Sequence, residues 1–305
     1  MIASHVPVMV QEVLHFLAPA PGAVFLDSTL GGGGHSLALL DAIQPSGVLI
    51  GLDRDGDAVH LARRRLARFG PAAHLHHAHF RELKRVAAEE GYEAVDGVLF
   101  DLGISSMQLD TPDRGFRFDS PDPLDMRMDR RSGLTAADLV NGLPEGELAD
   151  LIYQYGEERH SRAIARAIGR ARARKAVESC EELAAIVSAA ARRGGGRGRA
   201  RIHPATRTFQ ALRIAVNREL DDLEAALRDA VDLLRPGGRL AVIAFHSLED
   251  RIVKNVMRDL SGKGEGARLR LLAKKVVRPG EAEVAANPRS RSARLRAAEK
   301  LEGEG

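Results

Sequence analysis

The sequence has a single cysteine, Cys180, among its 305 residues. One thiol cannot form an intramolecular disulfide, so a secreted scaffold held together by disulfides is excluded, and a reducing cytoplasm is the expected compartment. The cysteine and the histidines also form no cluster with metal-ligand spacing, so no metal site is predicted.

Long apolar runs are lacking as well. No stretch approaches the roughly 20 apolar residues that a membrane helix needs, and Met1–Pro7 lacks the charged and apolar regions of a signal peptide. A soluble protein without a membrane partner is therefore expected. With 44% hydrophobic residues, the chain can form one large domain, or one domain that carries another inside it.

A large net charge is also missing, since 45 Lys and Arg against 42 Asp and Glu give only +3. The average hides a segregation, because the segment from Arg159 to Arg213 holds fourteen basic and three acidic residues, a net +11 that leaves −8 for the rest. Such a basic block is typical of a phosphate-binding surface. Of the 45 basic residues 38 are Arg, which suits phosphate, but a GC-rich genome would give the same excess. Both explanations stay open.

Short apolar runs followed by turns and helices predict a parallel sheet. The predicted strands are Val24–Asp27, Val48–Asp53, His74–Phe80, Val95–Asp101 and Arg239–Phe245, with Leu269–Val277 and Ser292–Ala298 closing the sheet. Continuous apolar strands that alternate with helices indicate a sheet covered on both faces, which is a doubly wound α/β domain. One long amphipathic helix is predicted from Phe209 to Leu234.

The interval between Asp101 and Thr206 is too long for one crossover, which needs only a helix and short loops. Its first part, Met107–Gly133, is predicted to be irregular, and the rest has helical periodicity until the basic, glycine-rich loop Arg192–Arg201. We therefore predict a core formed by 1–106 and 207–305, interrupted over 107–206 by a helical, basic domain.

A glycine cluster, Gly31–Gly34, lies where the first strand gives way to the first helix. Glycines let the backbone approach a ligand, and the helix N-terminus offers free N–H groups. The loop is not a P-loop, and Ser36 occupies the third glycine position of a dinucleotide fingerprint. With Asp27 before it, the loop is closer to the Asp-x-Gly-x-Gly-x-Gly loop of methyltransferases that use S-adenosyl-L-methionine (AdoMet), with Thr29 replacing the first glycine. A plain strand-to-helix turn is the alternative.

Three further residues are placed at predicted strand ends. A carboxylate at Asp53 can accept both hydroxyls of a ribose, whereas Asp55 and Asp57 are better placed to cap the next helix. Phe80 can lie against an adenine ring or belong to the core. Asp101 falls at the carboxyl edge of the sheet, where such folds bind ligands.

Several runs of residues resemble one family in order along nearly the whole chain. They are His5–Met9, Gly31–Ser36, Asp101–Asp110, Arg114–Phe118, Pro123–Asp129, Tyr155–Glu158, His203–Arg213, Phe245–Arg251 and Asn287–Ser292. Together they resemble the bacterial ribosomal RNA small subunit methyltransferase H family, also called MraW.

The resemblance implies a Rossmann-like AdoMet-dependent methyltransferase core with an inserted α-helical domain, and it implies that this insert, 107–206, helps to hold an RNA substrate. It also implies methyl transfer from AdoMet to the exocyclic N4 of a cytidine in the decoding centre of 16S rRNA, on free rRNA or on the small ribosomal subunit. The AdoMet contacts that it implies are Gly33, Gly34, His35, Asp53, Phe80, Asp101 and Gln108. The sequence leaves the oligomeric state open, with a homodimer as one option.

The catalytic groups are less well marked. Enzymes that methylate exocyclic amines often carry Asn/Asp-Pro-Pro-Tyr/Phe after the fourth strand, whereas this chain has Asp101-Leu102-Gly103-Ile104. Asp101 and His246 are the candidates for organising the amine, with a structural histidine as the alternative for His246.

Basic and aromatic residues near the predicted site are candidates for holding RNA. They are Arg114, Phe116, Arg117, Phe118, Arg127 and Arg207, and the alternative for most of them is an internal network of salt bridges with nearby aspartates. Two other functions remain as alternatives: an NAD(P)-dependent oxidoreductase, and an RNA-binding assembly factor without turnover.

Overall fold

The computed structural model describes residues 7–131, 133–193, 203–262 and 266–302. The chain forms two compact units, one from 1–105 with 220–305 and the other from 106–219. Of the predicted basic, glycine-rich loop Arg192–Arg201, residues 194–201 lie outside the described residues. Within the described residues, no helix combines the length and the apolar character needed to cross a membrane.

The first half of the first unit alternates strands and helices. Its elements are α1 (Val10–Leu17), β1 (Val24–Asp27), α2 (Gly34–Ile43), β2 (Val48–Asp53), α3 (Gly56–Leu66), β3 (Ala73–His77), α4 (Leu83–Glu89) and β4 (Val95–Asp101).

The second unit is helical. Its helices are α5 (Ser106–Asp110), α6 (Ala136–Gly142), α7 (Glu145–Gly156), α8 (Ser161–Arg172), α9 (Cys180–Arg193) and α10 (Ala205–Asn217). The insert was predicted to end at residue 206, but this unit extends to Glu219 because α10 packs on α7.

The chain then completes the first unit. The remaining elements are α11 (Leu223–Leu233), β5 (Leu234–Ala244), α12 (Ser247–Leu260), β6 (Leu269–Leu271), α13 (Glu281–Ala286) and β7 (Arg294–Lys300).

The seven strands form one sheet in the order β3-β2-β1-β4-β5-β7-β6. β1 to β5 are parallel, and β7 runs antiparallel to β5 and to β6. Alternate residues of the strands enter two different apolar clusters, one containing Leu26 and Val98 and the other Phe25 and Leu99, so the sheet is covered on both faces. The predicted doubly wound, mostly parallel α/β fold is confirmed, and the strand order reverses between β1 and β4, where such sheets bind ligands.

The single long helix predicted from Phe209 to Leu234 is wrong. The chain leaves the helical conformation at Arg218, which has a left-handed φ of 49°, so that α10 belongs to one unit and α11 to the other. The apolar period continues across the break because both helices have a buried face, and periodicity alone does not show a change of partner. The third strand ends at His77 rather than at Phe80, and the strand predicted over Leu269–Val277 contains only Leu269–Leu271.

Candidate functional site

The glycine loop between β1 and α2 needs glycine at two positions. Gly31 and Gly33 have φ values of 51° and 74°, in the left-handed region that side chains rarely adopt. Gly33 is the N-cap of α2, and it has no side chain to bond the first N–H groups of the helix. The turn therefore leaves backbone donors of the kind that bind carboxylate or phosphate.

Asp27 holds the two ends of this loop together. Its carboxylate accepts hydrogen bonds from Ser36 Oγ at 2.6 Å and from the Thr29 N–H at 3.2 Å. Burial raises the pKa of Asp27, and these hydrogen bonds oppose the rise. Asp27 thus fixes the loop rather than facing a ligand.

Thr29 links the loop to the neighbouring strand. Its Oγ1 accepts a hydrogen bond from the backbone N–H of Asp101 at 2.5 Å. The sequence showed Thr29 only as a replacement for a glycine, and nothing in the local pattern indicated a partner 72 residues away. The threonine fixes the loop against the end of β4.

Asp53 ends β2 and faces the same loop. One carboxylate oxygen accepts from the Gly31 N–H at 2.7 Å and the other from the Asp55 N–H at 2.8 Å. Burial raises the pKa of Asp53 to about 7, against the effect of these two hydrogen bonds. Asp55 caps α3 by accepting from the Asp57 N–H at 3.0 Å, so the capping role is filled and Asp53 keeps acceptor capacity for a ligand.

Asp101 ends β4, as predicted, and lies beside His35. Nε2 of His35 donates to the Val8 carbonyl at 2.8 Å, which fixes the ring, and Nδ1 lies 3.4 Å from Oδ2 of Asp101. The other carboxylate oxygen, Oδ1, is buried and has no hydrogen-bond partner among the described residues. Burial raises the pKa of Asp101 to about 6, while the nearby His35 lowers it. A buried acceptor without a donor at the ligand-binding edge of the sheet can accept a hydrogen bond from a ligand.

Ser28, between Asp27 and Thr29, is a residue that the sequence analysis did not single out. Its side chain is buried, and its Oγ likewise has no hydrogen-bond partner in the described part of the chain. Its position inside the turn was the only available signal. The loop therefore offers a hydroxyl as well as backbone N–H groups.

Phe80 follows β3 as the first residue of a short 3₁₀ turn. Its ring lies 4.1 Å from the ring of His79 and 6.0 Å from that of Phe100, edge to face, and it packs against the core. Core packing thus accounts for part of its surface, and contact with an adenine stays a prediction.

His246 is the N-cap of α12. Its Nδ1 accepts from the Glu249 N–H at 3.4 Å, and the Glu249 carboxylate accepts from the His246 N–H at 3.3 Å, which forms a reciprocal capping box. Because Nδ1 is an acceptor, the ring proton is on Nε2. This buried atom makes no hydrogen bond in the described chain, although Oε1 of Glu249 is 3.2 Å away. His246 is thus structural through Nδ1 and has a donor left at Nε2.

In the helical unit, most of the candidates for RNA contact have partners within the chain. Arg114 is buried and donates to two backbone carbonyls, and Phe116 is buried as well. Arg117 and Arg127 form ion pairs with Asp119 at 3.0 Å and with Asp125 at 2.8 Å.

These contacts support the salt-bridge alternative for that stretch. Arg207 lies 3.6 Å from Glu158, and Phe118 stacks on His203 with 4.4 Å between ring centroids. Gln108 is buried in α5, and its contact with a cofactor stays a prediction.

Comparison with known proteins assigns the chain to a family. The sequence profile of the MraW methylase family matches residues 2–301. The chain belongs to this family. Its relatives include proteins named ribosomal RNA small subunit methyltransferase H from Geobacter sulfurreducens, 52% identical, and from Syntrophotalea carbinolica, 49% identical. The alignments cover 99% and 98% of this chain and 100% and 99% of the two relatives.

Membership of the MraW methylase family confirms the predicted family and the predicted class, a methyltransferase that uses AdoMet. The oxidoreductase alternative is therefore wrong. The residues present also fit this cofactor by their chemistry, because the edge of the sheet offers a carboxylate at Asp53 for hydroxyl groups, glycine-loop N–H groups for a carboxylate, and an unpartnered oxygen of Asp101.

Proposed function

We propose that this protein transfers a methyl group from AdoMet to the exocyclic N4 of a cytidine in the decoding centre of 16S rRNA. The names of its relatives support rRNA of the small subunit as the substrate. The observation that carries the proposal is the buried, unpartnered Oδ1 of Asp101, because an amine nucleophile needs an acceptor for its N–H at the edge of the sheet.

The cofactor would be held by residues at three strand ends. In this proposal, Asp53 accepts the ribose hydroxyls, Phe80 lies against the adenine, and the Gly33, Gly34 and His35 segment faces the amino-acid part. AdoMet carries the methyl group on a sulfonium sulfur. When the methyl group is transferred, this sulfur becomes a neutral thioether, which is the leaving group. Gln108 completes the set as the family resemblance implies.

The acceptor amine is a poor nucleophile, because its lone pair is delocalised into the cytosine ring. Asp101 Oδ1 would accept one N4–H, which lets the nitrogen pyramidalise toward the methyl group. As the N–C bond forms and the C–S bond breaks, the released N4 proton passes to the Asp101 carboxylate. Fixed geometry supplies the rest of the rate enhancement.

His35 and His246 have separate roles in this scheme. His35 is held by the Val8 carbonyl, and it fixes the orientation of the Asp101 carboxylate. His246 Nε2–H would donate to an acceptor atom of the cytosine ring and so orient the base. The target base must leave its stack to reach the site, which costs a few kcal/mol.

A transfer assay tests the proposal. Small ribosomal subunits from a strain that lacks this protein are incubated with the purified chain and with AdoMet labelled in the methyl group. We expect label in 16S rRNA with the wild type and little with Asp101→Asn. No label in the rRNA, with AdoMet binding intact by calorimetry, would favour the assembly-factor alternative and contradict the proposal.

A further inference from the structure

A row of exposed arginines lies along α8 and in the turn that directly follows it, in the helical unit. Arg162, Arg166, Arg170 and Arg174, here called the arginine row, are spaced four residues apart, and all four are exposed. Within α8, Arg162, Arg166 and Arg170 are therefore neighbours on one side of the helix, and Arg174 follows them in the next turn of the chain. The opposite side of α8 is buried through Ile164, Ala165 and Ile168, so the row faces solvent within its unit.

The arginine row is almost without partners. Within the described chain, Arg162, Arg170 and Arg174 make no ion pair and no side-chain hydrogen bond, and Arg166 only approaches Glu145 at 3.8 Å. Arg172 shows the contrast on the same helix, because it donates to two backbone carbonyls of the preceding segment. The row therefore presents three guanidinium groups without a partner in the described chain, and a fourth, at Arg166, whose single ion pair is long.

Other arginines of the same unit are paired with acids. The ion pairs are Arg117–Asp119, Arg127–Asp125, Arg131–Asp129 and Arg213–Glu219. An arginine-rich composition alone does not explain a row in which, within the described chain, only Arg166 has an acidic partner, at 3.8 Å. The row thus differs from the paired arginines of the chain, and it forms a basic surface suited to binding a polyanion.

The helix itself gains little from this arrangement. Like charges four residues apart on a helix repel each other. Arg162 lies in the first turn of α8, which has no acidic residue and where the helix dipole disfavours a cation. The dipole favours Arg170 and Arg174 at the other end, but it gives no reason for Arg162 and Arg166.

We propose that the arginine row binds successive phosphates along one strand of the rRNA substrate. The three arginines within α8 span about 12 Å along the helix, and Arg174 extends the row beyond the helix end, which covers several phosphates of a nucleic-acid strand. Guanidinium groups suit this ligand because they pair with phosphate through a planar fork of donors. The inference rests on the proposed function and adds the surface that positions the RNA.

The test measures binding to protein-free 16S rRNA over a series of salt concentrations. The variant replaces all four arginines of the row by Gln. Each lost phosphate contact lowers the slope of log K against log salt by about 0.7 to 0.9, so we expect the slope to fall by about 3. The same relation, referred to 1 M salt, predicts a Kd about 300-fold higher near 0.15 M salt.

Two controls separate the row from charge in general. The first replaces four paired arginines of the other unit by Gln, which removes the same charge; Arg85 and Arg270 are exposed, and Arg228 and Arg268 are half-buried. We expect its slope to change by less than about 1. The second replaces the row by Lys, which keeps the charge and is expected to keep most of the slope. AdoMet affinity should be unchanged in every variant.

The outcomes are distinct. Suppose that the wild type binds and methylates rRNA and that the Gln variant of the row has an unchanged slope and Kd. This result would overturn the proposal that the row binds rRNA, and it would leave the proposed function standing. If the Gln variant bound assembled subunits more weakly but protein-free rRNA as well as the wild type does, the row would contact an acidic ribosomal protein. That result would also overturn the proposal that the row binds rRNA phosphates. Failure of the wild type to bind or methylate rRNA would overturn the proposed function itself.

Discussion

Asp101 is the side chain with the most direct chemical role in the proposed reaction. The sequence placed it at the end of an apolar strand, and that position alone predicted a ligand-facing carboxylate. The His35 contact and the unpartnered Oδ1 could not be predicted, because they depend on Val8, His35 and Asp101 meeting across three separate segments.

Replacing Asp101 by Asn keeps the shape of the side chain and removes the proton acceptor. We expect kcat to fall by about 100-fold or more, measured at saturating AdoMet and rRNA. Because the pKa of Asp101 is raised to about 6, the wild-type kcat should also decline as pH falls below about 6 and the carboxylate becomes protonated. Asp41→Asn, at an exposed ion pair with Arg68, is the control and should retain wild-type turnover. Near-normal turnover of Asp101→Asn would remove the acceptor role.

Asp53 gives a second dependence on pH, in cofactor affinity. Its pKa is raised to about 7, so the fraction of ionised Asp53 falls below that pH, and a protonated carboxyl cannot accept both ribose hydroxyls. We expect the Kd for AdoMet to rise by up to about tenfold per pH unit as the pH is lowered from 7, measured by calorimetry. In Asp53→Asn the Kd should be high and nearly independent of pH over this range. A flat wild-type profile would contradict the ribose assignment.

At the scale of elements, the glycine loop and the helix caps determine how the site is presented. The strands that carry Asp27, Asp53 and Asp101 could be predicted from apolar runs. A parallel strand that is buried on both faces needs a nearly continuous apolar run, and such a run is visible in the sequence. The break at Arg218 and the capping box at His246 could not be predicted, because both depend on the partner that each segment packs against.

Gly33 is the N-cap of α2 with a left-handed backbone, and this geometry makes substitution costly. A Cβ there would lie 3.3 Å from Cβ of Ala62, in addition to the strain of a φ of 74°. We expect Gly33→Ala to lower the free energy of unfolding by about 1–2 kcal/mol, measured by urea titration, and to weaken AdoMet binding. Gly142→Ala, where a Cβ meets open space and φ is not positive, is the control. If Gly33→Ala had the stability of the wild type, the loop would accommodate the added Cβ, and the predicted cost of substitution would be wrong.

His246 combines a capping role with a proposed contact to the base, and one substitution separates them. Asn is among the best N-cap residues, so His246→Asn should stay within about 1 kcal/mol of wild-type stability while losing Nε2. We expect kcat/KM for rRNA to fall about tenfold, with AdoMet affinity retained. If His246→Asn is stable and keeps the wild-type kcat/KM, His246 acts only as the N-cap of α12 and the proposed contact with the base is wrong.

At the scale of the whole molecule, composition gave only the net charge averaged over the chain. The net charge of +3 separates into a basic block and an acidic remainder, and on α8 the block contains two exposed arginines, Arg162 and Arg170, without an acidic partner in the described chain. The arginine excess therefore has two parts, one paired within the chain and one open to a polyanion. Sequence could locate the block, but only side-chain contacts could distinguish these parts.

The central claim is the identity of the methylated atom. Its most direct measurement is mass spectrometry of nucleosides digested from 16S rRNA, after small subunits from a strain lacking this protein are incubated with the chain and labelled AdoMet. The account predicts a labelled cytidine methylated at N4. Label on C5 of cytosine, on a ribose 2′-hydroxyl or on another base would contradict it.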